Sequence, residues 1–324
     1  MINRVTAFAP ASMGNVGVGF DLLGAALAPI DGYQLGDKVS VELASVGSPP
    51  LQLEVKGEWA SALPGAPEQN IVWQCAEAFL AAGLEQGWLK RAPALKLVLY
   101  KQLPVGSGLG SSAASVVAAL YALNALFDEP LRPQALLMLM GELEGRISGA
   151  VHYDNVAPSY LGGLQLMVSD NGQAECRALP VFSDWYWLVA YSGVSLSTAK
   201  MRALLPEAFP LKDVLAYGRN LSAFIHASHQ GDEPLALAKM RDVIAEPYRA
   251  DAIPGFVDAR AGLTELGVPV CGISGSGPTL FAVCQSLEQA QAGLEYLNQN
   301  YLQSSQGFAH ICRLDERGCR LEVC

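Results

Sequence analysis

The chain has 324 residues, of which 51% are hydrophobic and 16% charged, so it can bury enough apolar surface for two folded domains. Its formal net charge of −10 argues against nucleic acid as the main partner, because binding a polyanion needs a clustered basic face. Seven cysteines without a C-x-x-C pair, and no apolar run long enough to cross a bilayer, predict a cytoplasmic protein with reduced thiols and without a zinc site, membrane span or secretory signal.

The first half of the chain predicts a strand and two helices around one glycine-rich stretch. Alternating apolar residues from Leu95 to Leu103 predict a strand that Pro104 ends. Small and aliphatic residues predict a helix over residues 111–127, and apolar residues at helical spacing predict a second one over 134–148. The stretch PVGSGLGSSAAS, residues 104–115, therefore connects a strand to a helix.

A turn cluster at residues 169–173 marks a predicted boundary between an N-terminal domain, 1–168, and a C-terminal domain, 169–324. Strands and helices then alternate, which indicates α+β layering. The predicted strands cover 185–191, 269–273, 279–284, 307–314 and 319–323. The predicted helices run from Ser197 or Thr198 to Pro206, and over about 211–230, 234–246, 255–267 and 286–300.

The glycine-rich stretch fits neither of two familiar phosphate-binding motifs. It lacks the lysine of the P-loop, and Gly106, Gly108 and Gly110 are spaced G-x-G-x-G instead of G-x-G-x-x-G. Its glycines would still let the backbone approach an anion, and the N–H groups that open the following helix carry a partial positive charge. The density of glycine and serine favours a phosphate-binding loop over a tight turn with a helix cap.

The same stretch resembles the ATP-binding motif of the GHMP kinase family, P-x-x-x-G-L-G-S-S-A-A. Two further family motifs are matched in order, by APASMGNVGVGFDLLG at residues 9–24 and by GISGSGPT at residues 272–279. The segments NVGVGFD, HYDN, STAKMRALLP and AEPYR are similar to the enteric-bacterial branch that phosphorylates L-homoserine. The resemblance implies a two-domain α+β fold, with a ribosomal-protein-S5-like N-terminal domain and a ferredoxin-like C-terminal α/β sandwich domain.

The resemblance also implies ATP as cosubstrate and Mg²⁺ as metal. The residues that match the ATP-binding motif are Pro104, Val105, Gly106, Ser107, Gly108, Leu109, Gly110, Ser111, Ser112, Ala113 and Ala114. Replacing Gly108 with Val is expected to abolish ATP binding and to leave the fold largely intact.

The predicted second helix offers two carboxylates for Mg²⁺, which favours oxygen ligands. Helical spacing places Glu144 nearer the apolar face, and Glu144 matches the family's metal-binding glutamate by its spacing to HYDN. Glu142 points further out and is interpreted as a surface carboxylate. Ser112 resembles the family serine that also reaches the metal.

A zwitterionic amino acid needs a carboxylate for its ammonium group and guanidinium groups for its own carboxylate. Asp21 matches the family position for the ammonium group, and Arg202 and Arg249 match the positions for the carboxylate. Asn15 lies six residues before Asp21, as in the family, and is expected to add a polar contact. Without the resemblance, these residues are typical of turns and solvated helix faces.

Where other family members have a proton-accepting aspartate, this sequence has Asn155, which follows Asp154. The substitution removes the obvious general base. We hypothesise that Asn155 orients the acceptor hydroxyl and that a loose transition state needs no side-chain base, with Asp154 as base the alternative. His152 is interpreted as a hydrogen-bonding residue of structural importance.

The loop SGSGP, residues 274–278, either acts through its backbone near the phosphates or substrate, or forms a tight interstrand turn.

The resulting hypothesis is a homodimeric enzyme of threonine biosynthesis that phosphorylates the hydroxyl of L-homoserine with ATP. A second possibility is a family member with another small alcohol as acceptor, which would have no use for both Arg202 and Arg249. A third is a non-catalytic nucleotide or amino-acid sensor on the same fold, which should have lost the loop or Glu144.

Overall fold

Two β-sheets with helices packed against them form the part of the chain that a computed structural model describes, residues 3–45, 47–168 and 175–322. The strands are β1 (Arg4–Pro10), β2 (Ser12–Gly14), β3 (Leu23–Pro29), β4 (Gly36–Leu43), β5 (Leu51–Lys56), β6 (Leu95–Tyr100), β7 (Leu164–Met167), β8 (Cys176–Leu179), β9 (Tyr186–Tyr191), β10 (Val270–Ile273), β11 (Leu280–Cys284), β12 (Phe308–Leu314) and β13 (Arg320–Leu321). The α-helices are α1 (Ile71–Glu85), α2 (Ser111–Leu126), α3 (Pro133–Ser148), α4 (Val156–Leu161), α5 (Thr198–Ala203), α6 (Leu211–Gln230), α7 (Glu233–Lys239), α8 (Glu246–Arg249), α9 (Phe256–Glu265) and α10 (Leu287–Asn300).

The first sheet has the strand order β13-β1-β4-β6-β5, in which β5 and β6 are parallel and the other neighbours antiparallel. Helix α2 packs against β1 and β4 and also contacts α1 and α3. It is therefore covered on most sides, which explains why small and aliphatic residues occupy nearly its whole circumference. This packing fixes the start of α2, which follows the glycine-rich loop directly.

The second sheet has the order β10-β11-β9-β12-β3-β7-β8, with β2 paired to β3. Its strand β9 shows how both faces are buried. Trp187 and Val189 lie in the large core that includes α2, whereas Leu188 and Ala190 lie in a second core with residues of α9 and α10. Successive side chains of a strand point to opposite faces, so one apolar strand can serve both cores.

The two halves of the chain exchange strands between their sheets. Strands β3 and β7 lie within the predicted N-terminal domain but pair within the second sheet, and β13, near the end of the chain, pairs with β1 in the first sheet. The predicted turn at 169–173 lies outside the described residues, and the boundary between 168 and 169 stays a prediction.

Several predicted elements are confirmed and three end early, among them the helix predicted to run to Pro206, which ends at Ala203. Helices α2 and α3 agree with the predicted 111–127 and 134–148 within one residue. Strand β6 ends at Tyr100 and not at Leu103, because a carboxylate of β4, Asp37, accepts the N–H groups of residues 102 and 103. The predicted helix over 234–246 stops at Lys239, because Asp242 accepts the N–H groups of the three residues 244–246 and a new helix, α8, begins there.

The sequence predicts reduced cysteines and no membrane span, and the structure describes most of the residues concerned. The six cysteines in the described part are free, and Cys324 lies outside it. Among the described helices, none is long and apolar enough to span a membrane.

Candidate active site

The glycine-rich loop is held by its carbonyl groups. Those of the five consecutive residues 105–109 accept hydrogen bonds from Ser195 Oγ, Leu196 N–H, Thr279 N–H, Ser274 Oγ and Ser12 N–H, at 2.8, 2.9, 3.0, 2.7 and 3.2 Å respectively. In a trans peptide, the N–H group points opposite to the preceding C=O group. The N–H groups of residues 106–110 therefore point away from these neighbouring segments, and among them that of Leu109 donates to Ser107 Oγ at 3.3 Å.

The same loop leads into the uncapped start of α2. No side chain among the described residues caps this helix, whose N-cap is Gly110 with a φ of +62°. The N–H groups of its first turn add to those of the loop and carry the positive end of the helix dipole. Backbone donors of this kind can hold an anion without a lysine.

The glycines of the loop are needed for a reason that the sequence did not reveal. Gly106, Gly108 and Gly110 all have positive φ values, of +69°, +82° and +62°. A Cβ atom on Gly108 would collide with the carbonyl oxygen of Ser274 and lie 2.9 Å from that of Gly277. The expectation that Gly108→Val leaves the fold largely intact is therefore wrong, since the valine would strain the backbone and displace the neighbouring loop.

The loop SGSGP connects β10 to β11 and also contacts other segments of the chain. Ser274 binds Gly108 as described, and Gly275 donates its N–H to the carbonyl of Gly14 at 3.1 Å. The carbonyl of Gly275 accepts from Asn15 Nδ2 at 2.9 Å and from Arg249 Nη1 at 3.1 Å. The loop SGSGP is therefore an interstrand turn that connects the glycine-rich loop to the residues expected to bind an amino acid.

Ser112 and Glu144 are brought together as the sequence predicts. Ser112 Oγ in the first turn of α2 donates to Glu144 Oε1 at 3.2 Å. Glu144 is half-buried whereas Glu142 is exposed, which confirms the predicted difference in their orientation on α3. No group of three or more His, Cys, Asp or Glu side chains in the described part could hold a metal ion. One carboxylate and one hydroxyl fit Mg²⁺, which takes its remaining oxygens from phosphates and water.

Asp21 and Arg202 form an ion pair across two distant parts of the chain. Arg202 Nη2 lies 3.0 and 2.9 Å from the two carboxylate oxygens of Asp21 and also donates to Nε2 of His152 at 2.9 Å. Burial lowers the pKa of His152, with Asp21 raising it and Arg202 lowering it. The imidazole is therefore neutral near pH 7 and accepts from Arg202, in agreement with its interpretation as a structural residue.

Arg249 lies beside this pair but is almost fully buried, with 3% of its surface exposed. Its Nε donates to the carbonyl of Met201 at 3.2 Å, which ties it to α5, the helix that carries Arg202. The guanidinium carbons of Arg202 and Arg249 lie 5.5 and 5.6 Å from the ring centre of Phe20. Two cations on one aromatic ring form a compact positive site next to the carboxylate of Asp21.

The backbone around Asn15 and Asp21 is shaped to hold this carboxylate. Asn15, Val16 and Asp21 have positive φ values, of +70°, +47° and +57°. Asn15 Oδ1 accepts the N–H of Asp21 at 3.0 Å, so the amide side chain braces the turn on which Asp21 sits. Left-handed non-glycine residues are uncommon and concentrate at functional sites.

Asn155 and Asp154 lie between the glycine-rich loop and Gly14. Asn155 Oδ1 accepts from Ser12 Oγ at 3.1 Å, and a Cβ atom on Gly110 would lie 3.0 Å from it, so Asn155 abuts the end of the loop. Asp154 is 6% exposed and packs on Gly14. Burial, followed by the carboxylates of Asp21 and Glu144, raises the pKa of Asp154, which Arg202 lowers in part, and the result is a pKa of about 7.

Sequence reasoning missed Phe20, the buried pair of Asp37 and Lys101 behind the loop, and a cavity beside it. A phenylalanine among glycines at residues 17–21 was a visible signal, because exposed loops rarely need an aromatic residue. The cavity, about 400 Å³ in volume, lies between β5 and the start of α1, and Asn70 was the only part of it that the pattern pointed to. The ion pair left no local signal, since its residues are 64 positions apart.

Known proteins resemble this chain in both sequence and structure. The family model for the GHMP kinases N terminal domain matches residues 70–163, and the model for GHMP kinases C terminal matches residues 224–303. The crystal structure of homoserine kinase from Cytophaga hutchinsonii is 30% identical with a TM-score of 0.88, over 99% of this chain and 98% of that chain. A putative homoserine kinase from Listeria monocytogenes is 21% identical with a TM-score of 0.70, over 99% of this chain and 100% of that chain. L. major mevalonate kinase in complex with R-mevalonate is 18% identical with a TM-score of 0.67, over 96% of this chain and 95% of that chain.

Proposed function

Because the chain belongs to the GHMP kinase family, with its two-domain fold, we propose that it transfers the γ-phosphoryl group of ATP to the side-chain hydroxyl of L-homoserine. In this reaction the bond between the γ-phosphorus and the β,γ-bridging oxygen breaks, a bond from the γ-phosphorus to the hydroxyl oxygen forms, and the hydroxyl proton leaves. The products are ADP and O-phospho-L-homoserine, an intermediate of threonine biosynthesis. Transfer of this kind depends mainly on positioning and on neutralising charge.

The observation that supports ATP as donor is the direction of the loop amides. Five carbonyl groups are turned toward protein segments, which leaves the N–H groups of residues 106–108 and 110 and those of the first turn of α2 as a row of donors, while the N–H of Leu109 donates to Ser107 Oγ. A triphosphate supplies anionic oxygens for such a row. Ser112 and Glu144 would hold Mg²⁺ against the phosphates, where the ion neutralises charge during transfer.

The acceptor site has the charge pattern of a zwitterionic amino acid. Asp21 would bind the ammonium group, and Arg202 and Arg249 the carboxylate. Arg202 and Asp21 now bind each other. A bound amino acid would replace this ion pair by two others, one between its carboxylate and Arg202 and one between its ammonium group and Asp21. Mevalonate and galactose lack the ammonium group that Asp21 would bind, and galactose also lacks a carboxylate for the two arginines, which supports an amino acid as acceptor.

The two sites adjoin through Gly275. Its carbonyl accepts from Asn15 and Arg249 on the acceptor side, and a Cβ atom on it would lie 3.4 Å from the carbonyl oxygen of Gly108 in the loop. Asn155 abuts the same loop at Gly110. An amino acid held by Asp21 and Arg249 would therefore extend its side chain toward the phosphates, with Asn155 in position to orient the hydroxyl.

The adenine would enter the cavity between β5 and α1. Leu53, Val55 and Leu63 line it with apolar surface, and Asn70 Nδ2 is buried without a hydrogen-bond partner among the described residues. A purine ring nitrogen could accept from that amide. Trp59, the residue before the cavity-lining Ala60, donates its N–H to the carbonyl of Lys101, three residues before the loop begins, which connects the two segments along the chain.

An assay of ADP release with Mg-ATP tests the proposal across L-homoserine, L-serine, mevalonate, galactose and shikimate. We expect turnover that depends on L-homoserine and fails with mevalonate, galactose and shikimate, which lack the ammonium group that Asp21 would bind. ATP binding without any L-homoserine-dependent turnover would overturn the substrate assignment. We also propose that the enzyme is a homodimer in the cytoplasm. Light scattering of the purified protein tests the first statement, and fractionation of the source cells tests the second.

A further inference from the structure

A buried ion pair lies directly behind the glycine-rich loop. Asp37, near the start of β4, is 0% exposed, and Lys101, the residue after β6, is 1% exposed. Lys101 Nζ donates to Asp37 Oδ2, to the carbonyl of Ser111 at 2.8 Å and to Ser115 Oγ at 3.1 Å. All three ammonium protons therefore have acceptors, and Ser115 Oγ also donates to Asp37 Oδ2 at 2.6 Å.

This pair holds both ends of the loop at one point. On the incoming side, Asp37 Oδ1 accepts the N–H groups of Gln102 and Leu103 at 2.9 and 3.0 Å. On the outgoing side, Lys101 binds the carbonyl of Ser111, the first residue of α2, whose hydroxyl donates to the carbonyl of Leu103 at 3.1 Å. The residues between these anchors, 104–110, include three glycines with positive φ, so their backbone needs external support to keep one conformation.

Burial alone does not explain why an ion pair stands at this point of the core. Replacing a buried ion pair by apolar residues of similar volume is often neutral or stabilising, so a pair of this kind is weak evidence for a role in stability. Its partners here are backbone groups at the two ends of the loop and a serine of α2, which are the groups that set the direction of the loop amides.

We propose that Asp37 and Lys101 act as a positioning pair, which orients the amides of the loop toward the phosphates and so sets the affinity for nucleotide, without contacting the substrates. This inference rests on the proposed ATP-dependent function. It predicts that loss of the pair weakens nucleotide binding selectively and leaves the acceptor site, built on Asp21 and Arg202, largely unchanged.

The test compares Lys101→Met with the milder Ser115→Ala, which removes one hydrogen bond from each charge. The dissociation constant of Mg-ADP is measured by calorimetry, and KM for ATP and for L-homoserine by ADP release. We expect the nucleotide dissociation constant to rise about tenfold or more in Lys101→Met and by a smaller factor in Ser115→Ala, because small displacements of positioning groups have effects of up to about 10²-fold. KM for L-homoserine should stay within about twofold of the wild-type value in both variants.

Asp315→Asn is the matched control. Asp315 is a 5% exposed carboxylate that accepts two backbone N–H groups and pairs with Arg320, as Asp37 does with its partners, but it follows β12 and has no bond to the loop. It should lower stability without changing nucleotide affinity. A folded Ser115→Ala or Lys101→Met protein with wild-type affinity for Mg-ADP would overturn the positioning role, as would an equal loss of affinity in Asp315→Asn. If the wild-type protein failed to bind Mg-ADP, the proposed kinase function would be refuted instead. If it bound Mg-ADP but showed no L-homoserine-dependent turnover, the proposed substrate would be refuted.

Discussion

Arg202 and Asp21, which lie 181 residues apart, form an ion pair in which a single guanidinium nitrogen contacts both carboxylate oxygens, at 3.0 and 2.9 Å. Both side chains are partly exposed, at 39% and 29%, so the pair alone adds little to stability. The pair instead favours one class of ligand, because the ammonium group of a substrate can bind Asp21 while its carboxylate binds Arg202.

Replacing Arg202 with Met should raise KM for L-homoserine about tenfold or more, because a hydrogen bond to a charged group contributes about 1.5–3 kcal/mol and tenfold is about 1.4 kcal/mol. KM for ATP should stay within about twofold, since Arg202 has no bond to the glycine-rich loop. Steady-state kinetics with each substrate varied in turn measures both constants. Lys200→Met, an exposed cation on the same helix, is the control and should change neither. Equal increases in both KM values for Arg202→Met would contradict its assignment to the acceptor.

Asn155 is the residue to test for orientation of the acceptor hydroxyl. We expect Asn155→Ala to lower kcat by more than about tenfold at saturating substrates, because it removes the amide that abuts the loop at Gly110. Asp154→Asn should lower kcat by less than about tenfold, whereas loss of a true general base costs about 10²–10⁴-fold. Single-turnover rates measure the chemical step directly. A large loss for Asp154→Asn with a small one for Asn155→Ala would make Asp154 the base.

Glu144 and Glu142 form a matched pair for the metal, since both lie on α3 and only Glu144 contacts Ser112 among the bonds described. Glu144→Gln should raise the Mg²⁺ concentration for half-maximal activity at least about tenfold, as loss of metal-site groups generally does. Glu142→Gln removes an exposed charge of the same kind and should leave the Mg²⁺ titration unchanged. The two titrations, at fixed saturating ATP, are compared directly. Overlapping curves for the two variants would remove Glu144 from the metal site.

The sequence predicted what depends on local pattern and missed what depends on distant contacts. Helical spacing alone separated Glu144 from Glu142, because one face of α3 packs against the core. Strand β6, in contrast, was predicted three residues too long, since the apolar alternation continues to Leu103 while Asp37, from another strand, withdraws the backbone N–H groups from the sheet. The roles of Asp21, Arg202 and Arg249 came from resemblance, as no spacing relates residues that only folding brings together.

The buried carboxyl of Asp154 should make stability depend on pH in a way that Asp154→Asn removes. Burial raises its pKa from 3.8 to about 7, with Asp21 and Glu144 raising it and Arg202 lowering it. Between pH 4 and about 7 the folded protein therefore holds a proton that the unfolded chain has released, so this group's contribution to stability falls as pH rises, by at most about 1.4 kcal/mol per pH unit. Asparagine does not titrate, so the unfolding free energy of the variant minus that of wild type should increase from pH 5 to pH 7 and level off above. Urea unfolding at pH 5, 6, 7 and 8 measures this difference, with Asp251→Asn, an exposed aspartate, as control. A difference that stays constant over this range would show that Asp154 is ionised in the folded protein already at pH 5.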